Sequence, residues 1–160
     1  MRQLYIDLLC LLDSLKKRVN FLEESFELLG LEGIKAIHGR AEEYAKNKEY
    51  REKYDLCVSR AVSNLATLSE YCLPYVKTGG TFISYKSGTV QEEAEEAEKA
   101  INILGGQVKD ITYFKLPDSE IDRSLAKIKY RKCPQVKQRM GEPEDISIKI
   151  VYDEVVMKLG

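Results

Sequence analysis

The apolar positions of the chain fall into short blocks whose period keeps changing. Residues 4–13 (LYIDLLCLLD) form an apolar run closed by an acid, which reads as a buried strand with Asp13 at its carboxyl tip. Leu15, Val19, Leu22, Phe26 and Leu29 then recur at spacings of four, three, four and three. That spacing puts them on one stripe of a helix, with Ser14 as the expected N-cap and Gly30 as the stop. Residues 33–38 (GIKAIH) read as a second strand, followed by a short charged helical stretch to about Lys53. Residues 54–59 (YDLCVS) are a third strand, and 65–76 a helix disturbed at its end by Pro74. Thr78-Gly79-Gly80 predicts a turn and 81–86 a fourth strand. Residues 90–104 predict a helix with Glu92, Glu93, Glu95, Glu96 and Glu98 toward solvent, ended by Gly105-Gly106. Residues 107–114 and 123–130 are two more strands, joined through Pro117. Further on, Ile146, Ile148 and Ile150 alternate with Ser147 and Lys149; this end predicts an extra strand, or a short helix over 152–159.

Strands that alternate with helices define an α/β class: a doubly wound, mostly parallel sheet with a final antiparallel pair. The 160 residues, 44% hydrophobic and 32% charged, suit one soluble domain with a real core. No apolar run approaches the roughly 18 residues of a membrane helix, and residues 1–12 lack a signal-peptide pattern, so a cytoplasmic location without a membrane partner is expected. A net charge of −1 excludes a globally polyanion-binding composition and makes any nucleic-acid surface local. Cys10, Cys57, Cys72 and Cys133 form no CxxC pair, and His38 is the only histidine. Neither a disulfide framework, nor a metal site, nor Ser-His-Asp catalysis is expected.

In open α/β sheets, ligands sit beyond the carboxyl ends of the strands. The residues that matter are then Asp13-Ser14, Arg40-Ala41-Glu42, Ser59-Arg60-Ala61 and Lys86-Ser87-Gly88. An acid at a strand tip can accept from a ribose diol, or it can cap the next helix. Arg60 can hold a phosphate or carboxylate, or pair on the surface with Glu70 or Asp55. Lys86 is open in the same way, Glu42 and Glu43 can simply favour a helix N-terminus, and Tyr85 reads as core or rim rather than a stacking platform. Arg123, Lys127, Lys129, Arg131, Lys132, Lys137 and Arg139 occur with no acid between Arg123 and Gly141. A basic strand of this kind suits phosphate contact, or protects a sheet edge from aggregation.

Taken together, LLDSLKKRVNFL at 11–22, HGRAEE at 38–43, SRAV at 59–62, YCLPYVKTGG at 71–80, KSG at 86–88 and the basic strand with Arg123 resemble the RsmG (GidB) family over residues 8–134. The resemblance implies a Rossmann-like class I methyltransferase fold. It implies S-adenosylmethionine as cofactor and methylation of guanine N7 in small-subunit (16S) ribosomal RNA. It places Asp13 and Ser14 near the cofactor ribose, Ala41 and Glu42 beside the adenine, and Arg60 at cofactor or substrate. Lys86 falls at the catalytic face, and Arg123, Lys127, Lys129 and Arg131 near RNA. It divides the chain into a partial methyltransferase domain, 1–134, and a divergent tail, 135–160.

One family feature has no counterpart. The resemblance implies a first strand leading into a glycine-rich loop, yet the ten glycines never form GxG. That strand is expected at the sheet centre, between the strands ending at Asp13 and Ser59. Without it, two inner edges are expected to be unpaired and open to self-association. The competing expectation is therefore a catalytically inactive fragment, at most a weak RNA-binding or self-associating module. A nicotinamide-dependent oxidoreductase is disfavoured because its dinucleotide fingerprint is also absent.

Overall fold

The computed structural model describes residues 8–60, 63–131 and 154–159, the last segment and Leu8 through their backbone alone. The strands are β1 (Leu8–Asp13), β2 (Ile34–His38), β3 (Tyr54–Arg60), β4 (Val76–Ser87), β5 (Gly106–Lys115), β6 (Asp122–Tyr130) and β7 (Glu154–Leu159). The helices are α1 (Lys16–Leu28), α2 (Ala41–Tyr44), α3 (Leu65–Cys72) and α4 (Gln91–Ile103), with a 3-10 turn at Leu73–Tyr75. All seven strands join one sheet in the order β2-β1-β7-β3-β4-β6-β5. β1 pairs parallel with β2 and β3 parallel with β4, whereas β6 and β7 are antiparallel to their neighbours. The sheet is therefore mixed rather than plainly doubly wound, with two antiparallel strands, β7 and β6, in its interior.

Of these, β7 lies between the two parallel pairs. It pairs with β1 through Leu8↔Leu159 to Leu12↔Val155 and with β3 through Leu56↔Lys158 to Arg60↔Glu154. The inner edges of β1 and β3, expected to lack partners, are both hydrogen-bonded to it. The physical reason is the one that made open edges improbable: unpaired backbone groups in the middle of a sheet must find donors and acceptors. The short helix expected over 152–159 is not formed: 154–159 is a strand, because the gap between β1 and β3 offers its backbone partners on both sides. The strand expected from the alternation at 146–150 lies outside the described residues.

Side chains alternate across each strand, so the ladder sorts residues onto two faces. Cys10, Leu12, Cys57, Phe82, Ala126 and Ile128 share one face and pack in a single cluster with Leu65, Leu68 and Cys72 of α3 and Ala94, Ala97 and Ile101 of α4. Leu9 and Leu11 alternate onto the other face, and the buried Val19 of α1 stands outside that cluster. α1 packs on β1 and β2.

Local chemistry explains the departures from the sequence pattern. The predicted turn at Thr78-Gly79-Gly80 is absent, and β4 runs on as a single strand from Val76. Gly79, at φ +84°, instead absorbs a bulge, and the register against β3 jumps from Tyr54↔Val76 to Leu56↔Thr81. Gly80 could carry no side chain here, since a Cβ would lie 2.8 Å from the Asp55 carbonyl. The charged stretch after His38 keeps only four helical residues and then turns. α3 gives way to the 3-10 turn at Pro74, as the ring requires.

Candidate functional site

The strand order reverses around β7: β1 leads through α1 to β2 on one side, and β3 through α3 to β4 on the other. The carboxyl tips of β1 and β3, at Asp13 and Arg60, flank the start of β7. Two strand spacings put the Asp13 and Arg60 backbones about 10 Å apart. This is the crevice where α/β sheets take ligands.

Asp13 is 3% exposed. Its Oδ1 accepts from the Leu15 amide at 2.7 Å, and its Oδ2 pairs with Arg18 Nη1 at 3.2 Å. Asp13, not Ser14, therefore ties down the start of α1, whose N-cap position is Leu15 with no side-chain cap of its own. Ser14 contributes its carbonyl, which accepts from His38 Nε2 at 3.1 Å. The Gly39 amide donates to the Asp13 carbonyl at 3.0 Å, so the tips of β1 and β2 are laced together. A carboxylate has about four lone-pair sites, and the described partners of Asp13 use two of them.

Gly39 leads into the next group. A Cβ there would stand 2.2 Å from the Tyr44 ring, so only glycine lets α2 turn this close to the strand tips. Ala41 and Glu42 open α2. The Ala41 carbonyl accepts from the Tyr75 hydroxyl at 2.5 Å. Glu42 Oε1 accepts from Arg40 Nε at 2.8 Å, while its Oε2 is buried without a hydrogen-bond partner. The Tyr71 hydroxyl is likewise buried and unpartnered. Burial pushes the Tyr71 phenol above its ordinary value, and the Glu42 charge adds to that. Tyr71 and Tyr75 lie in the YCLPYVKTGG stretch that carries part of the resemblance, but neither is legible in the sequence as a site residue.

Arg60 is exposed, without an ion pair to any described side chain. Asp55, one of its expected surface partners, pairs instead with Lys77. Ala61 and Val62 lie outside the described residues.

Lys86 is 9% exposed and committed to the frame. Its Nζ donates to the Ser63 carbonyl and to Glu93 Oε1, the latter at 2.6 Å. The same Glu93 oxygen accepts from the Leu65 amide at 2.5 Å. Lys86 and Glu93 thus pin the loop after β3 and the start of α3 to the start of α4. Glu93, read from the sequence as one of a solvated acidic row, turns inward because it is the acid within reach of both donors. Ser59, Ser84 and Ser124, on the same face, are fully buried with unpartnered hydroxyls.

The basic residues fall on the sheet face away from α3 and α4. Arg123, Lys127 and Lys129 alternate with the inward Ser124, Ala126 and Ile128, and Arg131 follows the strand. Lys132, Lys137 and Arg139 lie outside the described residues. Among the described residues no cluster of His, Cys, Asp or Glu could hold a metal ion, and no helix is long and apolar enough to cross a membrane. Cys10, Cys57 and Cys72 are buried free thiols, and burial drives those of Cys10 and Cys57 up.

The fold and this crevice define a class. The structure resembles M. jannaschii TYW2, solved in complex with AdoMet, at a TM-score of 0.56 and 14% identity, covering 78% of this chain and 58% of that one. It resembles the N-methyltransferase NodS of Bradyrhizobium japonicum at a TM-score of 0.52 and 12% identity, over 76% of this chain and 72% of that one. The fold is that of an α/β class I methyltransferase.

Within that class, residues 4–124 match the rRNA small subunit methyltransferase G (GidB) family, and the chain belongs to it. The ribosomal RNA small subunit methyltransferase G of Clostridium novyi is 54% identical over 119 residues, 74% of this chain and 49% of that protein. That of Lachnoclostridium phytofermentans is 52% identical over 132 residues, 82% of this chain and 54% of that protein. The chain spans about half the length of the curated relatives it matches.

Proposed function

We propose that the chain carries the S-adenosylmethionine-dependent guanine-N7 methyltransferase chemistry of small-subunit ribosomal RNA. The observation that carries this reading is the meeting of Asp13, Ala41-Glu42 and Arg60 at one carboxyl edge, in a chain whose residues 4–124 match the family. The donor set fits the nucleoside end of the cofactor. Asp13 offers acceptor sites to a ribose diol, and the start of α2 borders the adenine, with the orphaned Glu42 Oε2 close by. Ser14 fixes that edge through its carbonyl. Arg60 supplies a cation at the facing tip for the cofactor carboxylate or an RNA phosphate. Among the described residues no glycine-rich turn is present to wrap the methionine end.

When bound, S-adenosylmethionine supplies an electrophilic methyl group. Guanine N7 carries a free lone pair and no proton, so the chain needs no general base; its residues orient and hold. Lys86 belongs to that holding machinery, since its ammonium fixes the loop that follows Arg60. Arg123, Lys127, Lys129 and Arg131 supply the cations for the RNA backbone. We further infer that α1 and the α3–α4 pair wind the sheet on opposite faces, because right-handed crossovers that leave in opposite directions along a sheet emerge on opposite faces. Residues 1–134 then form the methyltransferase part and 135–160 a divergent tail that lends β7 to the sheet. A cytoplasmic location agrees with a ribosomal substrate.

A second reading is favoured by β7 itself. A strand that starts at the carboxyl edge and runs away from it leads into no cofactor-binding turn there; the chain is then a non-catalytic member with RNA affinity alone. Calorimetric titration with S-adenosylmethionine separates the two. Micromolar binding that Asp13→Asn weakens at least tenfold supports the enzyme. A folded chain that binds a 16S-derived RNA in a salt-dependent way, but no cofactor, supports the second.

A further inference from the structure

α1 packs on β1 and β2 with Val19 buried and Leu22 and Phe26 half-buried on one stripe. Lys17, Phe21, Glu24 and Leu28, at spacings of four, three and four, share the opposite stripe. All four are exposed, Phe21 at 66% and Leu28 at 87%. Just past the helix, Leu29 and Leu31 are exposed as well. Single exposed apolar residues are ordinary, but four large ones on one helix and its end form a patch. The charges of α1 also run against its own dipole. Lys16, Lys17 and Arg18 fill its first turn with no acid among them, and Glu23, Glu24 and Glu27 follow with no base in the last turn. A helix favours acids at its N-terminus and bases at its C-terminus. Glu23 and Glu27, four residues apart, repel each other as well. Neither Lys17 nor Glu24 forms an ion pair with a described side chain.

We propose that this outer face of α1 is a contact surface for a second copy of the chain, with the two helices antiparallel about a twofold axis at Phe21. Measured along the helix, Lys17 stands about 6 Å to one side of Phe21 and Glu24 about 4.5 Å to the other. Antiparallel pairing therefore sets Lys17 of each copy beside Glu24 of the other, with the two Phe21 rings between these ion pairs. Each helix lays its basic first turn along the acidic half of the other, and the two dipoles oppose. An order of charge that is unfavourable within one copy becomes favourable between two. The occupant is a copy of the chain because this order of charge is its own complement only when reversed. A phosphate backbone or an anionic lipid surface would instead meet Glu23, Glu24 and Glu27. The 13 residues of α1 span about 20 Å. One helix pair thus buries less than the roughly 1,600 Å² of a standard interface, and the dimer is expected to be weak. The surface shares no residue with the proposed cofactor and RNA sites and does not depend on methyl transfer.

The test is sedimentation equilibrium of the 160-residue chain from about 1 μM to about 1 mM. A monomer–dimer equilibrium is expected, with Kd raised at least tenfold by Phe21→Ser and several-fold by Lys17→Glu or Glu24→Lys alone. The double exchange, Lys17→Glu with Glu24→Lys, should recover most of that loss, since each reversed charge again meets its opposite. A parallel pair, or a contact elsewhere on the molecule, gives no such recovery. Circular dichroism checks that each variant keeps its fold, and Leu28→Ser, also at an exposed position, serves if Phe21→Ser does not. A chain that stays monomeric to about 1 mM overturns the proposal. So does a dimer that Phe21→Ser leaves intact, or one that the double exchange does not recover. A monomer that binds phosphatidylcholine vesicles or a 16S-derived RNA through Phe21 overturns it too.

Discussion

Asp13 shows how one buried side chain holds a structure together at a proposed site. The sequence left open whether it caps a helix or meets a ribose; its buried carboxylate does the first with one oxygen, and the second is the role proposed for it. Asp13→Asn keeps an acceptor for the Leu15 amide and loses the charge opposite Arg18. Asp13→Ala loses both, and should cost about 1 to 2 kcal/mol from the helix start alone. Urea denaturation should therefore rank wild type, Asn and Ala in that order, while cofactor titration should show most of its loss already in Asn. Lys86 is the opposite case. Its position after a strand was legible, but its partners were not, because Ser63 and Glu93 come from loops and helix ends that only the fold brings together. Lys86→Met leaves Glu93 facing Leu65 without its cation. Since Glu93 keeps nearly a third of its exposure, the loss should be roughly 2 kcal/mol, below the range for a fully buried pair. Chemical denaturation of the variant measures it.

At the scale of elements, much was readable because local signals and tertiary packing agree. The stripe from Leu15 to Leu29 became α1, with Gly30 at φ +61° as its stop. The acid-rich segment became α4, and Asn64 caps α3 through the Thr67 amide. Signals that failed were those a neighbour could override. Gly79-Gly80 reads as a turn only until β3 supplies a partner along its length. Residues 152–159 read as a short helix, and the gap between β1 and β3 made 154–159 a strand instead. Among the described strands, β7 is the one that joins the β2-β1 pair to the other four in the backbone ladder. Val156→Pro removes a backbone donor from the sheet interior. It should lower the melting temperature by roughly 10 °C or more and separate the unfolding of the two parts, as followed by circular dichroism and calorimetry.

At the scale of the whole molecule, the core carries a pH limit. Burial raises the thiols of Cys10 and Cys57 and the phenols of Tyr50, Tyr54, Tyr71 and Tyr75. Groups raised in the folded state keep their protons while the unfolded chain sheds them, so above the unfolded values the unfolded state binds fewer protons and stability falls. The contribution is complete below about pH 8.5, begins to fall as unfolded thiols ionise, and falls further near pH 10 with the phenols. Melting curves from pH 7 to 11 should show that decline, with the tyrosinate absorbance of these four phenols appearing at unfolding rather than before it.

The placement of β7 also governs the order of events in time. It pairs Leu8 with Leu159, nearly the full span of the chain. During synthesis, β1 and β2 can meet early, and β3 to β6 later, but the strand that unites them is the last of the described strands to leave the ribosome. Contacts between such distant residues are slow to form, and until they do the half-built sheet exposes its inner strand edges. For this protein, the vulnerable interval is the one between the emergence of β3 and the arrival of its final strand.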